Sequence, residues 1–477
     1  MRNMVNVVSY ADGVYARVDD ELEVHDLAVV GEIPAALDGM FVQNSPNPYY
    51  PPKGAYHWFD GDGMVHAVQL RDGRATYRNR YIDTAGLKAD QAAGEALTRG
   101  LLEPFDPAHP GPVDKNTANT DLIWHGGQLL ATWWLGGIPY AIEVPSLRTV
   151  GTEDFGGSLS CGVAAHPKVD PVTGELIFFD YDVYRAPYLQ YGVVSADRQV
   201  THHTTIEMDG ARLFHDIAIT ANYSIFLDLP MIWDPVKLQQ GKRRVRFDRD
   251  MPSRFGLLPR YGQGSEIRWF EAPPCYMYHT VNAWETTNER GEAEVVLVGC
   301  RIENPMPQVP HAQEPMVPRL YFLRMDPYLC RWTFNLETGA VTEDILDDVR
   351  SEFPRMNDEH LGRKARYAYH QRLAQAPTLC FDGVIKYDLE ANRSVAHAYG
   401  EGRVGAETVF VPRPGGVDED DGWIVTFVID ATSGASELVV IDARDFTRPP
   451  IAKVQLPRRV PFGFHAHWVP GSGVPRL

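Results

Sequence analysis

A short apolar or alternating run, a turn rich in Asp, Gly, Asn or Pro, then another run: this unit recurs along the chain, as in VHAVQLRDGRATYRNRYI, LIFFDYDV, CRWTFNLETGAVTEDIL, GVIKYDLEANRSVAHAYG and ELVVIDARDF. It predicts β-hairpins and meanders, because alternating side chains match the two-residue period of a strand and the turn residues supply tight reversals. Helical periodicity is scarce; the two candidates are the Ala-rich residues 86–100 and the stretch DPVKLQQG. The 41 glycines and 36 prolines do not pool into linkers, and no charge block or low-complexity run separates domains. The chain is therefore read as one architecture over residues 1–477, not as three domains of about 150 residues. Many short strands imply a sandwich, a barrel or a propeller, and the chain is long for one sandwich. A seven-bladed propeller would use roughly 68 residues per blade against the ~40–45 of tight repeats, leaving length for long loops over one face.

Composition narrows the function classes. With 44% apolar and 23% charged residues the chain has ample core, which excludes disorder, collagen and coiled coil. It contains no run of about 18 apolar residues, so no transmembrane helix is expected. Lys plus Arg total 45 against 63 for Asp plus Glu, a net charge of −18, the wrong sign for a nucleic-acid partner whose phosphates must be neutralised. The start MRNMVNVVSYADG lacks the apolar core of a secretory signal, which points to the cytoplasm. Five scattered cysteines (Cys161, Cys275, Cys300, Cys330 and Cys380) include no CxxC pair, which argues against a disulfide framework and a thiolate zinc site. They are expected to be small buried hydrophobes.

Sixteen histidines is a high number, and context separates four of them. His166 lies in CGVAAHPKVDPVTGEL, His215 in RLFHDIAIT, His279 in CYMYHTVNAWE and His465 in VPFGFHAHW. Each follows or interrupts an apolar segment, so each imidazole is carried at a buried strand end, where an unpaired polar group is costly. A shared metal would satisfy all four. Their wide separations form no local metal motif, but ligands delivered from separate blades onto a propeller axis would be spaced in this way. His57, His125, His202, His203, His311, His360, His370 and His397 read as turn or exposed-strand residues.

The segments around these histidines resemble the carotenoid cleavage oxygenase family over nearly the whole chain. IPAALDGMFVQNSPNPYYPP, WFDGDGMVHAV, KNTANT, AAHPKVDPVTGEL, FHDIAITANYSIFLDLP, SRFGLLPR, YHTVNAWE, EFPRMNDEHLGRKARYAY, AETVFVPRPGGVDEDDGW and VPFGFHAHW each match a family block, in the family's order. The resemblance implies an all-β fold, a seven-bladed β-propeller with a dome of loops and short helices over one face. It also implies one non-haem Fe(II) per chain on the axis, with dioxygen as co-substrate. By motif match the iron ligands are His166, His215, His279 and His465. Four neutral imidazoles suit Fe(II) and leave open positions. Strand alternation allows His467 in place of His465; the family's GFH pattern selects His465, although Ala466 stands where the family usually has Gly.

Ligating imidazoles need their other N–H anchored, and the family uses glutamates on three of its four histidines. Two carry over: Glu352 in SEFPRMN, for His279, and Glu407 in GAETVFV, for His465. The third does not, because TWWLGGIPY places Trp134 or Leu135 there, which leaves His215 to a water, a backbone carbonyl or nothing. Family members that cleave stilbenes or vinylphenols hold the phenol with a Lys just before that glutamate and a Tyr in the preceding loop. Here Trp133 or Trp134, and the region of Leu101, occupy those places. An aromatic lining without polar partners suits a long polyene, and Phe59, Trp133 and Trp134 are its candidates. Thr120 matches a family threonine facing the open side of the iron, and Gln43 stands where an Arg is usual. The implied activity is oxidative cleavage of a C=C bond in a small apolar conjugated substrate, an apocarotenoid first and a stilbene or phenylpropanoid second. Two readings outside cleavage are a propeller that binds an apolar ligand without turning it over, and an isomerase or hydrolase. Peripheral membrane contact and oligomeric state are left open.

Overall fold

The computed structural model describes residues 10–109, 113–306, 325–376 and 378–475; His311 lies outside them. The strands form seven antiparallel blades around one axis. Blade one holds Gly39–Pro46, Gly63–Arg71 and Arg74–Tyr81, and blade two runs from Asp121–His125 to Thr149–Thr152. Blade three runs from Lys168–Val169 to Val200–Thr205, blade four from Ile217–Ile219 to Arg268–Ala272, and blade five from Tyr276–Thr287 to Val341–Ile345. Blade six begins at Ser351–Arg355 and blade seven at Val409–Pro412. Short strand Arg403–Gly405 pairs with both of these blades, at Phe381 and at Val428 to Asp430, and fuses them into one ten-stranded sheet.

Local chemistry sets the turns. In blade one Arg71 pairs with Arg74 across Asp72 and Gly73, both at positive φ (51° and 72°), the geometry that Asp-Gly favours in a two-residue hairpin. Gly126 and Gly127, at 54° and 78°, do the same in blade two. The helix expected over 86–100 is Ala85–Ala93: the Thr84 side chain accepts from the Leu87 N–H at its start, and Gly94 ends it in the left-handed conformation. Pro235–Gln239 is the second helix, within DPVKLQQG, and no helix of the described residues is long and apolar enough to cross a membrane. The first helix lies between blades one and two. The second lies in an insertion of blade four that also carries the Met231–Trp233 and Val245–Phe247 hairpin.

Blades pack face to face, so a central strand is buried on both sides and loses its alternation. Every residue of Gly39–Pro46 is buried, and so are eight of the nine in Gly422–Asp430. Outright exposure is greatest on outer strands such as Arg393–Ala398 and Thr149–Thr152. Of the histidines read as turn or exposed-strand residues, four are buried: His370 lies in a buried strand of blade six, which corrects that reading, His57 and His125 sit in or beside a turn as read but under cover, and His397 is the one buried position of the outer strand Arg393–Ala398. His202, His203 and His360 are half-buried. The five cysteines are unpaired, four of them buried. Gln43 is fully buried, and a Cβ at Gly463 would fall 2.0 Å from its Nε2, so the glycine leaves room for that amide.

The ring is closed by the last strand. Ala466–Pro470 pairs with Gly39–Pro46, from Gly39 with Pro470 to Gln43 with Ala466. Asn44 extends the ladder past the strand, donating its N–H to the His465 carbonyl at 2.9 Å and accepting from the Phe464 N–H at 2.9 Å. A chain ended after His465 keeps His166, His215, His279 and His465 but leaves a long apolar edge unpaired, an invitation to aggregation. Such a chain is expected to lose the cooperative melting transition of the full chain in scanning calorimetry and to elute as aggregate in size-exclusion chromatography.

Candidate metal centre

The innermost strand of each blade brings one chemistry-bearing side chain to the axis near its start. His166 precedes Lys168–Val169, His215 precedes Ile217–Ile219, His279 lies in Tyr276–Thr287, and His465 precedes Ala466–Pro470. One ligand atom from each lies within 4.8 Å of the others, close to the ~4.2 Å limit for two nitrogens on opposite sides of an ion at about 2.1 Å. Their rings pack together, His166 lying 4.4 to 4.9 Å from the other three. His467 pairs with Val42 outside this group. The strand begins only at Ala466, so the alternation that would make 465 and 467 equivalent does not reach His465.

Three carboxylates stand behind the histidines. Glu352 Oε2 is 2.6 Å from His279 Nδ1 and also takes the Phe353 N–H. Glu407 Oε1 is 3.0 Å from His465 Nδ1, and its Oε2 accepts the Ala466 N–H at 2.5 Å. Asp121 Oδ2 accepts the His166 N–H at 3.1 Å and lies 3.8 Å from His166 Nδ1. His215 alone has no carboxylate partner among the described residues; its ring meets Tyr278 at 5.1 Å and 90°. A fourth carboxylate ties the ligand strands together. Asp216, next to His215, takes the Lys168 ammonium at 2.6 Å and both the N–H and hydroxyl of Thr280 at 2.7 Å, joining blades three, four and five one or two residues after each ligand.

The electrostatics suit a cation at the centre. Burial holds His166 and His215 well below the ordinary imidazole value and His279 at about 3, with neighbouring histidines adding to the shift. These rings are thus neutral donors at physiological pH, as metal ligands must be. At His465 burial acts in the same direction, but the Glu407 carboxylate outweighs it and raises the group. Burial pushes Glu352 up to about 8 against the Phe353 N–H bond, so a positive charge nearby is what would keep it ionised at neutral pH. His166 Nε2 and His279 Nε2 are buried without any hydrogen-bond partner, a costly state that coordination relieves. An all-imidazole donor set with orphaned inner nitrogens fits a divalent transition metal.

Beside the histidines is an almost wholly apolar cavity of about 30 Å³, lined by His215, His279, His465, Thr120 and a shell of apolar side chains in which Phe59, Trp134 and Phe353 are prominent. Phe59 and Trp134 touch each other at 5.4 Å and separate it from a second, more polar cavity of about 70 Å³. Trp133 lines only that second cavity, and Leu135 does too. Thr120 donates its hydroxyl to Asn119 Oδ1 at 3.0 Å and accepts the Trp134 N–H at 3.1 Å.

Sequence reasoning missed Asp121, Tyr278 and Phe353. Two of them are hidden by the same device. The ladder around His279 shifts register twice between Met277 and Asn282, so adjacent residues 278 and 279 both line the cavity, where an even strand would turn Tyr278 away. Likewise the ladder slips between Glu352 and Arg355, and Phe353, at φ 51°, stacks on His465 at 4.8 Å and 17°. Asp121 carried one available signal: it follows Thr120 directly at the end of KNTANT.

Residues 15–470 match the family described as retinal pigment epithelial membrane protein. A carotenoid 9,10(9',10')-cleavage dioxygenase 1 of Phaseolus vulgaris is 37% identical over 96% of this chain and 89% of its own length. Among solved structures, the lignostilbene dioxygenase of Pseudomonas brassicacearum superposes with a TM-score of 0.86 at 30% identity, covering 97% of this chain and 98% of that one. An apocarotenoid oxygenase variant of Synechocystis gives 0.84 at 29% identity, covering 96% and 98%.

Substituting Glu352→Gln or Glu407→Gln removes the charge behind one ring and keeps its size. Each is expected to weaken divalent-metal binding about 10- to 100-fold, read by competition with a chromogenic chelator. His279→Ala is expected to abolish stoichiometric binding.

Proposed function

The chain belongs to the retinal pigment epithelial membrane protein family, that of the carotenoid cleavage dioxygenases, and as such is a dioxygenase of alkene-cleaving type; from this we propose that it is a single propeller domain over residues 1–477 that uses one Fe(II) to cleave a C=C bond of an apocarotenoid or similar polyene. Two aldehydes or ketones are the products. The observation that carries the reading is the four-imidazole cluster opening onto an apolar cavity.

His166, His215, His279 and His465 would hold the iron, which supplies dioxygen binding and one-electron chemistry. Glu352 and Glu407 hold two of the rings in place through Nδ1, leaving the other nitrogen facing inward. Phe59, Trp134, Phe353 and Phe464 exclude water and lay the alkene beside the ligands. At about 30 Å³ the cavity admits little more than a small molecule, so a polyene enters only as lining side chains such as Phe59 and Trp134 swing aside. Trp133 would then contact the substrate further out, from the second cavity. Thr120 would narrow the approach from the cavity to a metal held by the histidines; its hydroxyl proton is already committed to Asn119. No side chain has to donate or accept a proton overall. The C=C and O=O bonds break, two C=O bonds form, and both atoms of dioxygen end in the products.

The stilbene or phenylpropanoid reading has one observation in its favour. Tyr278 lines the cavity, and its hydroxyl is a hydrogen-bonding group that the sequence did not place there. A screen of iron-loaded protein against apocarotenals, hydroxystilbenes and vinylphenols under labelled dioxygen separates the readings. Expected are faster turnover of the apocarotenals and label in both carbonyl products. Preference for the phenols would transfer the assignment to the stilbene class, and unlabelled product to isomerisation or hydrolysis. Protein that purifies without iron, cannot be loaded and still binds the polyene would be a ligand carrier.

A further inference from the structure

Seven inner strands meet at the axis, and the side chains they deliver fall into an order. Around the ring, blades one to seven bring His465, Asp121, His166, His215, His279, Glu352 and Glu407. The two glutamates each serve the histidine of an adjacent blade, Glu352 the one on blade five and Glu407 the one on blade one. Blade two lies beside blade three, and its first strand begins with Asp121.

Asp121 shares part of the glutamates' contact pattern: it takes backbone N–H groups in the same way, with its carboxylate near the ring but beyond hydrogen-bond distance. Glu352 and Glu407 each engage a ligand's Nδ1 and also a backbone N–H in the ligand segment or beside the carboxylate itself. Asp121 Oδ2 lies on the His166 N–H and nearest its Nδ1, while Oδ1 accepts the Leu122 N–H at 2.8 Å. An aspartate is one methylene shorter, in keeping with the longer 3.8 Å separation from the ring. The amide bond has its own consequence. His166 has φ 66°, a left-handed backbone that is strained for a residue with a Cβ. The Oδ2 bond to its N–H braces that conformation, and with it the direction in which the ring leaves the backbone. Asp121 is 6% exposed and His166 likewise 6%, so water does not compete freely for either.

We infer that Asp121 is the positioning residue for His166 and the third carboxylate of the metal centre, so that every histidine except His215 is fixed from a neighbouring blade. The inference rests on the reading that the four histidines bind a metal. The family's third glutamate, the one for His215, has no counterpart here, Trp134 or Leu135 standing in its place; the centre therefore keeps three carboxylates with one in a different place.

The test uses the full chain stripped of metal and titrated with Co(II), whose visible absorption reports ligand geometry. Wild type must first bind one Co(II), and His279→Ala must not; failure here overturns the metal reading and leaves Asp121 without a role. Asp121→Asn keeps size and an acceptor but loses the charge, Asp121→Ala loses both, and Asp121→Glu restores a carboxylate. The expected result is 10- to 100-fold weaker Co(II) binding in Asp121→Asn and Asp121→Ala, an altered Co(II) spectrum, recovery of affinity in Asp121→Glu and a stripped Asp121→Asn protein that still melts in one cooperative transition. Wild-type affinity and spectrum in Asp121→Asn overturn the inference, whether or not Asp121→Ala folds.

Discussion

The pairing of residues 466–470 with residues 39–43 is the constraint on which everything else depends. A propeller has no layer beneath it to hold a blade in place; each blade is braced by its two neighbours, and the set is stable only when the circle is complete. Here the first and last blades in space are the same one, made of strands from both ends of the chain. His465 sits at the seam, its carbonyl bonded to Asn44 and its ring to Glu407. Closing the fold and completing the donor set are therefore one event.

Around that closed ring the chemistry is arranged by alternation of strand ends. Histidines and carboxylates sit side by side on the inner strands, and Asp216 with Lys168 and Thr280 laces three ligand strands together just behind the donors. Burial alone would make this arrangement unfavourable, because it disfavours every charge in it. A buried carboxylate with its Nδ1 partner is tolerable when the opposite face of the imidazole meets a cation, and the same desolvation keeps three of the rings unprotonated and ready to donate. The apolar cavity next to them then needs no polar group of its own to fix the metal.

Much of this was legible in the sequence, and what was not has a physical cause. Turn residues at positions such as Asp72 and Gly73 announced hairpins, and ordered motifs marked His166, His215, His279 and His465, which the fold brings together. Glu352 and Glu407 were visible for the same reason. Sequence patterns assume even strands with one exposed face. They fail where blades bury both faces, which is why His370 looked exposed. They fail again where a ladder slips, which hid Tyr278 and Phe353. Trp133 and Trp134 read as one lining pair, but only Trp134 reaches the cavity beside the histidines, while both line the second one. The fused ten-stranded sheet rests on three residues, 403–405, too few to leave a pattern.

The register slip at His279 reaches beyond geometry. Because residues 278 and 279 both face the cavity, the wall that meets a guest molecule and the donor that meets a metal hang from a single peptide bond. A chain built this way cannot retune one without tugging on the other. Diversification of what the cavity accepts is thereby steered toward segments that carry no donor, such as the short turn that holds Phe59, while position 278 behaves as if it were part of the metal site.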